Sequence, residues 1–101
     1  MNEKILMPPQ LPERAESLRS TMLELSGADA MENSRFRPVV IARALVSYAL
    51  LLDGYSETAV GTVLGKDHST INHYRDVMNK ILHSPGYEAE RHLWYQFRQM
   101  L

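Results

Sequence analysis

From Pro12 onward the apolar residues fall in five stretches, each repeating at the three-to-four-residue spacing of a helix face. Pro12 suits an opening helical turn, and Leu18, Met22 and Leu25 carry an amphipathic stripe to about Ser26, where Gly27 stops it. Pro38 opens the second stretch. Val39 to Leu52 is apolar almost all round, which predicts the buried centre of a domain, with only Arg43 and Ser47, four residues apart, marking a wet face. Asp53-Gly54 breaks that helix. Ser56 then caps a short one through Leu64, with Ala59, Val60, Val63 and Leu64 turned inward and Gly61 permitting close packing.

After Gly65 and Lys66, Asp67 supplies a capping carboxylate for the backbone N–H groups of Ser69 and Thr70, and Ile71, Tyr74, Met78 and Ile81 carry a fourth helix to about His83. Ser84-Pro85-Gly86 interrupts the chain before a last helix, Glu88 to Leu101, striped by Leu93, Trp94, Phe97 and Leu101. No stretch alternates as a strand would. The expected fold is all-α, a cluster of about five helices, with Leu45, Val60 and Ile71 meeting in one core. Residues 1–11 read as a flexible tail and 12–101 as one helical domain, its last helix in 87–101.

Composition narrows the class. The 101 residues are enough for one core, and 45% hydrophobic with 23% charged residues is ordinary for a soluble globular chain. The absence of cysteine excludes disulfides and thiolate chemistry and fits a reducing compartment. Pro8, Pro9 and Pro12 interrupt the start where a signal peptide would be apolar, and Ala44 to Leu52 is too short to span a bilayer, so a cytoplasmic protein is expected. The formal charge of −1 weighs against nucleic acid, since phosphate binding is mainly electrostatic. That charge is uneven: residues 1–34 carry three basic and six acidic side chains, residues 35–82 six basic and four acidic. The acidic residues Glu13, Glu16 and Glu24 read as a solvated face.

Chemistry concentrates in Gly65 to Arg75, GKDHSTINHYR. A helix that opens with Asp67, His68, Ser69 and Thr70 after a short turn presents hydrogen-bonding side chains as a helix-turn-helix does to the major groove. A capped surface helix is the plainer reading of the same residues. Catalysis has little support: Ser69 and His73 stand four apart on one helix with no orienting acid. His68 and His73 are roughly 140° apart round a helix, so they do not converge on a metal. Gly61-x-x-x-Gly65-Lys66-Asp67 is one residue short of a phosphate loop and ends in Asp, so no nucleotide or other cofactor is expected.

Arg37-Pro38, then Ile41-Ala42-Arg43-Ala44-Leu45, then Ser56 to Gly61, then Gly65-Lys66-Asp67-His68-Ser69-Thr70-Ile71-x-His73 resembles, in that order, the C-terminal DNA-binding domain of the bacterial replication initiator DnaA. The resemblance covers about residues 35–82. It implies a helix-turn-helix domain of the Trp-repressor-like kind that binds short duplex boxes, the recognition helix in the major groove and a basic loop in the minor groove. It assigns base-edge or phosphate contacts to Asp67, His68, Ser69 and Thr70, a phosphate contact to Lys66, and the basic loop to Arg35 and Arg37. His73 would be a partly buried or phosphate-facing member of the set. The chain differs from the family pattern at Asp29 and Glu32 in the loop, at Asp76, and in the longer Asp53-Gly54-Tyr55 link. It shows no counterpart of the family's ATPase part.

The expectation is therefore a non-enzymatic, stand-alone binder of double-stranded DNA acting as a regulator or accessory replication factor. The alternatives are a protein-interaction module of the same fold, as a homodimer or with another partner, and a dimeric repressor gated by a small ligand. Binding to duplex DNA with a steep salt dependence, co-purification of a partner, and a ligand-dependent change in DNA affinity distinguish the three.

Overall fold

The computed structural model describes residues 10–101, which fold as five α-helices: α1 (Leu11–Ser26), α2 (Arg37–Leu52), α3 (Glu57–Leu64), α4 (His68–His83) and α5 (Glu88–Gln99). Of the tail expected at residues 1–11, residues 1–9 lie outside the described residues. Its expected end does not hold, because Leu11 opens α1 and is fully buried. Gly27 closes α1 in the left-handed conformation, φ 75°, and donates its N–H to the Leu23 carbonyl at 2.8 Å.

α2 is the shared partner of α1, α3 and α4, and α5 packs across α1 and α4. Leu45, Val60 and Ile71 are each completely buried and belong to one core with Leu18, Met78 and Phe97. Burying one such side chain contributes roughly 1.5–3 kcal/mol, so this cluster dominates the stability of the domain. On α5, Trp94 and Phe97 form the inward stripe with Leu93 half-buried, but the helix ends at Gln99 and Leu101 stays exposed.

The wet face expected on α2 is not there. Arg43 is 5% exposed and Ser47 0%. From Ile41 to Ser47 every residue of α2 is buried, and Arg43 is tolerated there because its guanidinium is answered by hydrogen bonds. Nε donates to the Ala30 carbonyl at 3.1 Å, Nη1 to the Tyr74 hydroxyl at 3.2 Å, and Nη2 to the carbonyls of Glu32 and Ser34. Ser47 Oγ has no hydrogen-bond partner. Arg43 thus fastens the loop 27–36 to both α2 and α4. From the other side Arg19 on α1 grips the same loop, with Nε and Nη2 each 2.8 Å from the two carboxylate oxygens of Asp29.

Candidate nucleic-acid interface

Between α3 and α4 the chain turns in three residues, 65–67. Gly65 takes φ 71°, the Lys66 N–H donates to the Gly61 carbonyl at 2.8 Å, and the Gly65 N–H to the Thr62 carbonyl at 3.4 Å. This pair of bonds is the Schellman arrangement that satisfies the last carbonyls of a helix. The expectation for Gly61 holds for a specific reason: a β-carbon there would collide with the Lys66 carbonyl. The turn and α3 lie against each other as backbone on backbone. At the far end of the pair, Arg75 Nε meets the Glu57 carboxylate at 2.7 Å and ties α4 to the first turn of α3.

Asp67 caps α4, as expected, with a different donor set. Its Oδ1 accepts from the Thr70 N–H at 3.0 Å, the Ser69 hydroxyl at 2.8 Å and the Thr70 hydroxyl at 3.0 Å, so Ser69 contributes its side chain and not its backbone. These bonds, the Thr70 N–H first, hold the Asp67 carboxyl below the usual aspartate range. The carboxylate occupies the anion site that a helix N-terminus offers, so that site is closed to phosphate. Because the two hydroxyl hydrogens point at Asp67, Ser69 and Thr70 turn acceptor lone pairs outward. His68 and Ser69 are exposed, Thr70 and Lys66 half-buried. His73 is exposed, not partly buried, and its ring sits tilted 6.2 Å from that of Tyr74.

Arg35 and Arg37 are not part of this tip. They line a separate groove of about 280 Å³ with Val40, Val77, Lys80 and Tyr87. Lys80 lies eleven residues beyond Ser69, about 20° round α4 and roughly 17 Å along it, so tip and groove share one face of the helix. Arg37 is drawn toward α5, with Nη2 3.2 Å from Glu90 and its guanidinium 6.0 Å from the centre of the Tyr87 ring. Arg35 is exposed and, among the described residues, makes no ion pair.

The residue-level reading thus named two clusters that the fold places about three turns apart. It missed Lys80, which a helical-wheel count from Ser69 would have placed on the same face. It also missed Arg43, which orders the loop bearing Arg35 and Arg37. Among the described residues no three metal-ligating side chains gather, and no helix is long and apolar enough to cross a membrane. Compared with the sequence profiles of known families, with curated proteins and with solved structures, the chain finds no match in any of the three.

Proposed function

We propose that this chain binds double-stranded DNA through α3, the turn and α4 used as a helix-turn-helix, and acts as a transcriptional regulator or accessory replication factor. The observation that carries the reading is the shared face of α4: an exposed polar tip at one end and the Arg35–Arg37–Lys80 groove about 17 Å away. A helix start whose anion site is already filled by Asp67 suits base edges, and a cationic groove suits backbone. The resemblance of residues 35–82 to the DNA-binding domain of DnaA supports the same assignment.

The roles divide accordingly. Asp67 is a cap that aims its neighbours. His68, Ser69 and Thr70 face the major groove, and the outward lone pairs of Ser69 and Thr70 match the amino groups of adenine or cytosine. Lys66, Arg35 and Lys80 contact phosphate. His73 stands beside them on the same face. Arg37 joins only when it leaves Glu90, so three phosphate contacts imply a log–log salt slope of roughly −2.7.

Selection from a random duplex pool, followed by anisotropy titrations at several salt concentrations, tests this. His68→Ala and Thr70→Ala are expected to lower affinity for the selected duplex by about 1–3 kcal/mol and to leave random DNA little changed. Lys80→Ala is expected to weaken all duplexes alike and flatten the slope by about one unit. Absence of duplex binding at low salt would leave the interaction-module reading in its place. That rival draws support from the ion pairs that already engage Arg14, Arg19, Arg37 and Arg75.

A further inference from the structure

Phe36 stands out on this surface. Its exposure is 68%, against 54% for Met100, the next most exposed large apolar side chain among the described residues. A single exposed apolar residue is ordinary on a protein surface, but the main chain that carries this one is held by hydrogen bonds on both sides. The Phe36 N–H donates to Ser34 Oγ at 3.0 Å, and the Phe36 carbonyl accepts from Val39 and Val40 at 2.9 and 3.0 Å. The loop behind it is held by Arg43 through the Ser34 and Glu32 carbonyls. The neighbours on either side in sequence are Arg35 and Arg37, both exposed, and the groove they share with Lys80 is cationic. An aromatic ring on a rigid mount, flanked by guanidinium groups, complements an apolar surface lined by phosphates. The stacked base pairs of a duplex, reached through the minor groove, are such a surface.

We propose that Phe36 is a wedge that inserts between base pairs from the minor groove and bends the bound duplex. The inference rests on the DNA-binding reading and adds a distinct property to it. Arg35, joined by Arg37 when that side chain leaves Glu90, would straddle the groove edges while the ring opens one step, most readily a flexible pyrimidine–purine step. Because the mount is already ordered, little conformational freedom is lost on insertion.

The test uses the full chain and a short duplex recovered by selection, labelled at its two ends with a donor and an acceptor dye. Wild-type protein is expected to raise energy transfer, as a bend of the order of 20–90° would. Phe36→Ala is expected to keep the melting midpoint and the salt slope of the wild type, to bind up to about tenfold more weakly, and to leave the duplex straight. Phe36→Leu, an apolar wedge of another shape, is expected to restore much of the bend. A duplex bound tightly yet straight by the wild type, or bent equally by Phe36→Ala, overturns the wedge and leaves DNA binding intact. No binding to any duplex overturns both. A fall in the sedimentation mass of the free protein on Phe36→Ala also overturns it, since the ring would then be packing on a second copy.

Discussion

The two ends of the α4 face are built on different principles. The tip at residues 65–70 is local: its cap, its left-handed glycine and its two turn bonds all join residues within five positions of one another. The loop at 27–36 is held from a distance, by Arg19 on the helix before it and Arg43 on the helix after it. The tip therefore keeps its shape wherever α3 and α4 pack together. The loop has short-range turn bonds as well, but its place against α2 and α4 holds only while the whole helical cluster stands. If both surfaces touch DNA, base reading rests on the locally secured part, and the backbone grip, Lys66 apart, on the part that meets the loop secured by tertiary contacts.

Breaking the distant anchor is expected to have the largest effect. Arg43→Met removes the guanidinium and leaves three carbonyls and the Tyr74 hydroxyl without their donor, a loss of about 3–5 kcal/mol in urea denaturation. Amide exchange in residues 27–36 is expected to rise, with the Thr70 amide unchanged after correction for global stability. Arg43→Lys recovers only part, because an ammonium cannot fan to separated carbonyls. Equal loosening of loop and tip would show that the two are secured in the same way.

The reciprocal change is smaller. Gly61→Ala drives a methyl group into the Lys66 carbonyl and must shift the turn, at a cost of roughly 1–3 kcal/mol. Its expected signature is chemical-shift change confined to α3, the turn and the first turn of α4, with the loop undisturbed. A silent melting curve and unshifted Lys66 resonances would show that the turn tolerates movement.

The smallest effect is a difference in acid response. The Arg19 guanidinium, helped by the Met31 N–H, pulls the Asp29 carboxyl from 3.8 down to about 2. A carboxylate with a depressed folded value contributes stability that is complete above its unfolded value and is lost as pH falls through the folded one. Asp29 therefore steepens the fall of the melting midpoint between about pH 4 and pH 2, and Asp29→Asn is expected to flatten it there and nowhere else. Added salt is expected to shrink this difference, because the pair is partly exposed. An identical pH profile in wild type and variant would separate the Asp29–Arg19 contact from the ordering of the loop.

What could be read from the chain follows the same division. The five helices, the cap at Asp67, the stop at Gly65 and the close approach at Gly61 all leave signatures within a few neighbouring residues. Apolar spacing likewise placed Leu45, Val60 and Ile71 together, since each sits on a consistent helix face. Arg43 defeated the reading because an arginine in an apolar helix looks like its solvent edge until its acceptors are known. Those acceptors lie nine to thirteen residues back on the main chain and thirty-one ahead on Tyr74. The seat of Arg35 and Arg37 beside Lys80 was hidden for a related reason: order along a motif says nothing about which end of a helix a loop meets. Ser47, buried with its hydroxyl unanswered, has no signal in the pattern at all.

The manner in which Arg43 holds the loop also bears on how this surface can change over generations. The loop answers the guanidinium with the main-chain carbonyls of Ala30, Glu32 and Ser34, groups that every amino acid possesses. Substitutions at Met31, Glu32 or Asn33 therefore leave the grip intact, whatever side chains they bring to the surface. So long as Arg43 is kept, substitutions at those three positions bring new contacts to a scaffold that does not need to be rebuilt.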